Sequence, residues 1–156
     1  MILLRILIAG VVLLPVAAKA DDIIWQLGKK QGRPVLLGVL SEPETDTPFW
    51  AHCRADGGVD IGIGAEINVG KGKGEAVTVT LTSAGASAKL AGQSRNTVNS
   101  EMTGATELRT KIARDDALFA VLATDKPIAL SGSIKPTTWP VKGLKAKAAA
   151  FLAACK

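Results

Sequence analysis

The 156-residue chain carries 19 Lys and Arg against 14 Asp and Glu, a formal net charge of +5, and its hydrophobic share is 47% with only 4% aromatic. The basic residues are scattered rather than blocked, and the surplus is too small for a nucleic-acid footprint. With three Trp, three Phe and no Tyr, an interior has to be built mainly from Val, Ile, Leu and Ala.

Met1–Ala20 reads as a secretory leader. Arg5 supplies the positive start, Ile6–Leu14 the apolar run, and Ala18-Lys19-Ala20 the small residues that a signal peptidase inspects. The apolar run is short and broken by Pro15, whereas a spanning helix needs about 20 apolar residues. No later stretch is long and apolar enough to span, so no stable membrane insertion is expected after cleavage. The lack of a cysteine near the cleavage point argues against lipid attachment, and a single arginine favours the general secretory route. Losing Arg5 and Lys19 from the 19 basic residues leaves 17 against 14 acidic ones, a net charge of +3. Residues 21–156 then suit one β-rich domain of a periplasmic or secreted protein.

Ile23–Leu27, with Trp25, is a short apolar segment ahead of a turn-like Gly28–Gly32. Val35–Leu40 is a continuous apolar run, consistent with a strand buried on both faces. Two prolines and three acids make Glu42–Pro48 a loop, and Phe49–Arg54 is extended, which places Cys53 on a strand. Val59, Ile61, Ile63, Ala65 and Ile67 alternate with Asp60, Gly62, Gly64 and Glu66, as in a strand with one wet face. Val77, Val79 and Leu81 alternate with threonines in the same way. The intervening Asn68–Glu75 is glycine-rich, so the pair is expected to form an antiparallel hairpin with a mobile tip bearing Lys71 and Lys73. Further strands are expected around Ala86–Leu90, Thr97–Met102, Glu107–Ala113 and Ile128–Ser133.

Asp115 or Asp116 can cap a helix over Ala117–Ala123. A second helix is expected to start after Pro140, from about Gly143. Leu144, Ala148, Phe151, Leu152 and Cys155 share one of its faces, opposite Lys145, Lys147 and Lys156. The fold class that follows is α+β: a β-rich antiparallel sheet or sandwich with a C-terminal helix packed on it.

An exported chain with two cysteines and no C-x-x-C pattern points to a structural disulfide between Cys53 and Cys155. The helix face that buries Cys155 supports the same pairing. A metal site built from His52, Cys53 and Cys155 would lack a fourth ligand and would need two adjacent residues to aim at one ion.

The glycines around Lys71 do not keep phosphate-loop spacing. His52 is the sole histidine, no serine sits in a G-x-S-x-G elbow, and Ser131-Gly132-Ser133 reads as strand followed by turn. Glu42, Glu44 and Asp46 lack the spacing of a calcium loop. No catalytic residue, metal or cofactor is therefore expected. Trp25, Trp50 and Trp139 are the largest pieces available to a core, Trp50 most clearly, beside Phe49 and Cys53. An exposed Trp would mark an interface, and Trp139, stiffened between Pro136 and Pro140, joins Lys71 and Lys73 as a candidate binding surface.

The short extended segment with Cys53, Leu118-x-x-x-Leu122, and Val141-x-Gly143-Leu144-x-x-x-Ala148 ending in Phe151-Leu152-x-x-Cys155 form a pattern. It resembles small exported bacterial envelope proteins, namely the invasion-associated locus B family and the type VI secretion-associated periplasmic accessory proteins. The resemblance implies an accessory or binding protein of the bacterial envelope that is not an enzyme, with a protein or envelope component as partner. The alternative is a periplasmic inhibitor of a lysozyme-like or other enzyme, which Ser131-Gly132 faintly suggests.

Overall fold

A computed structural model describes residues 22–41, 47–64, 68–98 and 100–156. The expected leader Met1–Ala20 lies outside these residues, as do the acids of the 42–46 loop and the last positions, 65–67, of the long alternation.

Among the described residues, nine strands make one antiparallel sheet. In chain order they are β1 (Ile23–Lys30), β2 (Arg33–Leu40), β3 (Phe49–Cys53), β4 (Val59–Ile63), β5 (Lys73–Ser83), β6 (Ala86–Asn96), β7 (Thr106–Ile112), β8 (Ile128–Gly132) and β9 (Thr137–Trp139). The spatial order is β1-β2-β3-β4-β7-β6-β5-β8-β9. The described residues also form three helices, α1 (Ser100–Thr103) and α2 (Ala117–Leu122) between strands and α3 (Leu144–Ala154) after the last. The β-rich antiparallel sheet with a C-terminal helix is thus present, as a single sheet rather than a two-sheet sandwich.

Strand existence follows the alternation in the sequence, but partners do not. The expected hairpin of β4 with β5 is absent: β4 pairs with β3 and β7, and β5 pairs with β6 and β8. The cause lies in the connection. Val69 is fully buried, its N–H donating to Thr106 Oγ1 at 2.9 Å and its carbonyl accepting from Ser94 Oγ. The segment after β4 is therefore tied across β6 and β7, which occupy the place a hairpin partner would take. A second departure is Thr97–Met102, where β6 has ended and α1 follows in place of a strand. The turn Gln31-Gly32 is tighter than the expected five-residue loop, with both residues in the left-handed region (φ 52° and 78°), as a two-residue hairpin turn requires.

One face of the sheet is apolar. Leu36, Phe49, Ala51, Cys53, Ile61, Ile63, Leu81, Leu108 and Leu130 are buried there, and α2 and α3 pack onto it. Asp116 caps α2, its carboxylate accepting from Leu118 N–H at 2.8 Å. In α3, Leu144, Ala148 and Phe151 are buried, and Phe119 and Phe151 stack at 6.3 Å between centroids. The buried hydroxyl of Ser83 is satisfied by Thr124 Oγ1 and by the Lys126 carbonyl, as low dielectric demands.

The sheet is nearly closed, and side chains rather than a ladder bridge its two edges. Trp25 on β1 donates from Nε1 to the Pro140 carbonyl at 2.9 Å, just beyond β9. Its ring meets Trp139 and Phe49 edge-on at 6.2 and 5.7 Å, and Lys147 of α3 donates to its carbonyl. Gly38, opposite Trp25 in the register, leaves room for that indole, which a Cβ would crowd. The Cys53–Cys155 disulfide joins β3 to the end of α3, with Cα atoms 5.5 Å apart and 102 residues between them. A disulfide is what an extracellular or periplasmic setting sustains, and no helix among the described residues is long and apolar enough to cross a membrane.

Candidate functional site

Because side chains alternate along a strand, burying Phe49, Ala51 and Cys53 sends Trp50 and His52 to the opposite face. The expectation that Trp50 belongs to the core with its neighbours is corrected here: it is half-buried on the polar face. The same parity places Val35 and Leu37 beside them on β2, Asp60 and Gly62 on β4, and Glu107 and Arg109 on β7, through the pairs Val35–His52, Leu37–Trp50, His52–Asp60, Trp50–Gly62 and Gly62–Arg109. With Gly62 covered by the Trp50 ring, the others floor a cleft of about 640 Å³. Lys29 and Lys30 border it at the end of the first hairpin, and Thr97, Val98 and Ala105 border it on the side of α1.

Trp50 is fixed in place. Its indole lies over Gly62, where a Cβ would overlap the ring. Its Nε1 donates to Glu107 Oε2 at 2.9 Å. Glu107 is only 5% exposed, and its other oxygen accepts from Arg109 Nε at 2.6 Å. A carboxylate this enclosed is tolerated because a cation and an N–H donor both satisfy it. Gly64 continues the glycine floor, since a Cβ there would overlap the backbone of Glu107.

Asp60 is paired with Arg54 at 3.2 Å. Arg54 also reaches Asp56 at 3.2 Å, and hydrogen bonds first with Asp56 and then with Asp60 raise its pKa. Lys111, the Gly58 amide and Arg54 together hold the Asp56 carboxyl well below the usual carboxylate range. Lys29 and Lys30 have no carboxylate partner among the described residues. His52 Nε2 is buried and lacks a hydrogen-bond partner among the described residues.

The residues singled out in the sequence fall elsewhere. Trp139 is 3% exposed and its ring serves the aromatic cluster that closes the sheet, so it offers no contact face. Lys71 and Lys73 are exposed but do not border the cleft. Their loop is more organised than a mobile tip. The Glu75 carboxylate accepts from the N–H groups of both lysines, and Ser94 Oγ accepts from Gly72 N–H at 2.8 Å. Those amides, Lys71 first, lower the Glu75 pKa. Gly70 and Gly72, at φ 70° and 73°, supply the left-handed backbone that the loop needs. Cys53 and Cys155 are brought together as expected, and the bridge uses both sulfurs. Ser131 is exposed on β8, separated in the sheet from His52 on β3 by β4, β7, β6 and β5.

The cleft itself went unread in the sequence. Its signal was the second parity of the strands: Trp50-x-His52, Asp60-x-Gly62 and Glu107-x-Arg109 each put polar or aromatic residues opposite a buried set. No protein-family model, curated protein or solved structure matches this chain, so the meaning of the cleft rests on its geometry.

Proposed function

We propose that the protein is an exported, non-enzymatic binding protein of the bacterial envelope, and that it holds its partner in the cleft over Trp50. The observation that carries this reading is the immobilised indole. Trp50 is backed by Gly62 and tethered by a nearly buried Glu107, an arrangement that fixes a large contact surface before any ligand arrives. Preorganisation of that kind lowers the ordering cost of association, and aromatic side chains held so are the usual energetic centres of binding sites. A non-catalytic role is favoured because both carboxylates of the cleft are occupied by arginines and His52 stands apart from the exposed Ser131. The disulfide and the aromatic closure provide the rigid frame, in keeping with a periplasmic or secreted setting and with the accessory role that the C-terminal resemblance implies.

The test is a photo-crosslinking residue placed at Val98, which is 94% exposed at the cleft rim, in cells that make the protein. A second position, Lys89 on β6, serves as the control. A discrete adduct from Val98 and none from Lys89 is the expected result. Equal labelling at both positions, or none at Val98, would overturn the reading.

A further inference from the structure

We infer that the ligand of the cleft is a saccharide carrying a carboxylate, with a sugar ring stacked on Trp50 and its acid group held by Lys29 and Lys30; this rests on the binding reading above. Three features select this chemistry. The first is charge. Glu107 is neutralised by Arg109 and Asp60 by Arg54, while Lys29 and Lys30 remain without a carboxylate among the described residues, so the surplus that these residues bring to the cleft is positive and sits at one end. A carboxylate meets it there.

The second is the platform. A tryptophan fixed flat against glycine presents a rigid apolar surface, and a pyranose offers a matching face of C–H groups. The third separates a sugar from an aromatic acid. Polar side chains line the cleft beside the indole: Thr47, Thr97, Arg109 and Asp60. A ring with hydroxyls around its whole edge can satisfy them, whereas a planar aromatic acid would use only the indole and the lysines and leave the rest desolvated at a cost. The volume, about 640 Å³, lies in the range of ligand sites that enclose a molecule of a few rings.

The experiment titrates the oxidised, leader-free protein with trigalacturonate and with a glucuronate-containing trisaccharide. Each is compared with its methyl ester and with naphthoate, by calorimetry and by tryptophan emission. Trp25 and Trp139 are buried, which leaves Trp50 as the emitter that a cleft ligand reaches. At least one acidic oligomer is expected to bind, at least tenfold tighter than its ester, and to weaken as salt is raised. Trp50→Ala should abolish binding. Lys29→Ala/Lys30→Ala, which alters only exposed side chains, should reduce the acid to the affinity of the ester while leaving the melting temperature unchanged. Equal binding of acid and ester would overturn the carboxylate assignment. Binding of naphthoate alone, or of no probe, would overturn the saccharide. If the Val98 adduct still forms in either case, the binding reading survives and only the ligand class falls.

Discussion

Gly62 and Trp50 form a pair in which the absence of one side chain creates the position of the other. Adding a methyl group at Gly62 forces the indole off its floor and away from Glu107, because the new Cβ would occupy the ring's own space. Overpacking of this kind costs about 1–3 kcal/mol. Gly62→Ala should lower the melting temperature accordingly, shift Trp50 emission toward that of a hydrated indole, and abolish ligand binding in the cleft. An unchanged emission spectrum would show that the ring does not depend on that floor. Glu75 makes a different point at the same scale. Its pKa is lowered in the fold by the amides of Lys71 and Lys73. Its contribution is therefore present above the ordinary carboxylate value of about 4 and is lost as pH falls toward the depressed one. Glu75→Gln should melt lower than the parent protein at pH 7, and the gap should close on acidification. Asp56 is held lower still, by Lys111, Gly58 and Arg54, so the corresponding gap for Asp56→Asn should persist to more acidic pH. Melting curves between pH 7 and 3 check both.

Among the elements, those defined by local rules were legible and those defined by partners were not. The cap of α2 could be placed to within one residue, at Asp115 or Asp116, because a cap depends on the chain a few residues away. Asp116 fills it, and Asp116→Ala should cost about 0.5–2 kcal/mol, read from chemical denaturation. The buried face of α3 was likewise visible in its spacing, as was the strand bearing Cys53. The partner of β4 was not. Alternation states that a strand has two faces, but it carries nothing about which neighbour supplies the hydrogen bonds, and β4 chooses β7 over the sequence-adjacent β5 because Val69 is drawn into the core between Ser94 and Thr106. The cleft escaped for a related reason. Trp50 beside Phe49 and Cys53 looks like a core residue by adjacency, and only strict period two sends it to the other side. Once β3, β4 and β7 are known to be neighbours, Trp50, Gly62, Glu107 and Arg109 fall together, and that knowledge lies in the pairing rather than in any one segment.

At the scale of the whole molecule, Trp25 holds the ends of the sheet together through Pro140 and the Trp25–Phe49–Trp139 cluster, and the disulfide separately ties β3 to the end of α3. The disulfide closes a long loop, and its removal by Cys53→Ser/Cys155→Ser should cost about 2–5 kcal/mol, measured as a shift in denaturation midpoint. Because β3 carries both Cys53 toward the core and Trp50 toward the cleft, the same double variant is also expected to weaken ligand binding, while Trp25→Phe, which removes the Pro140 hydrogen bond and part of the ring packed on Phe49 and Trp139, should lower stability and spare the cleft. The placement of that bridge has a consequence in time. Cys53 sits in the third strand to be made, and its partner is reached only 102 residues later. Until Cys155 arrives, Cys53 has no partner within the chain and is open to any other thiol. The finished frame, and the cleft built on it, can therefore arise only as a late event, after the helix carrying Cys155 has emerged.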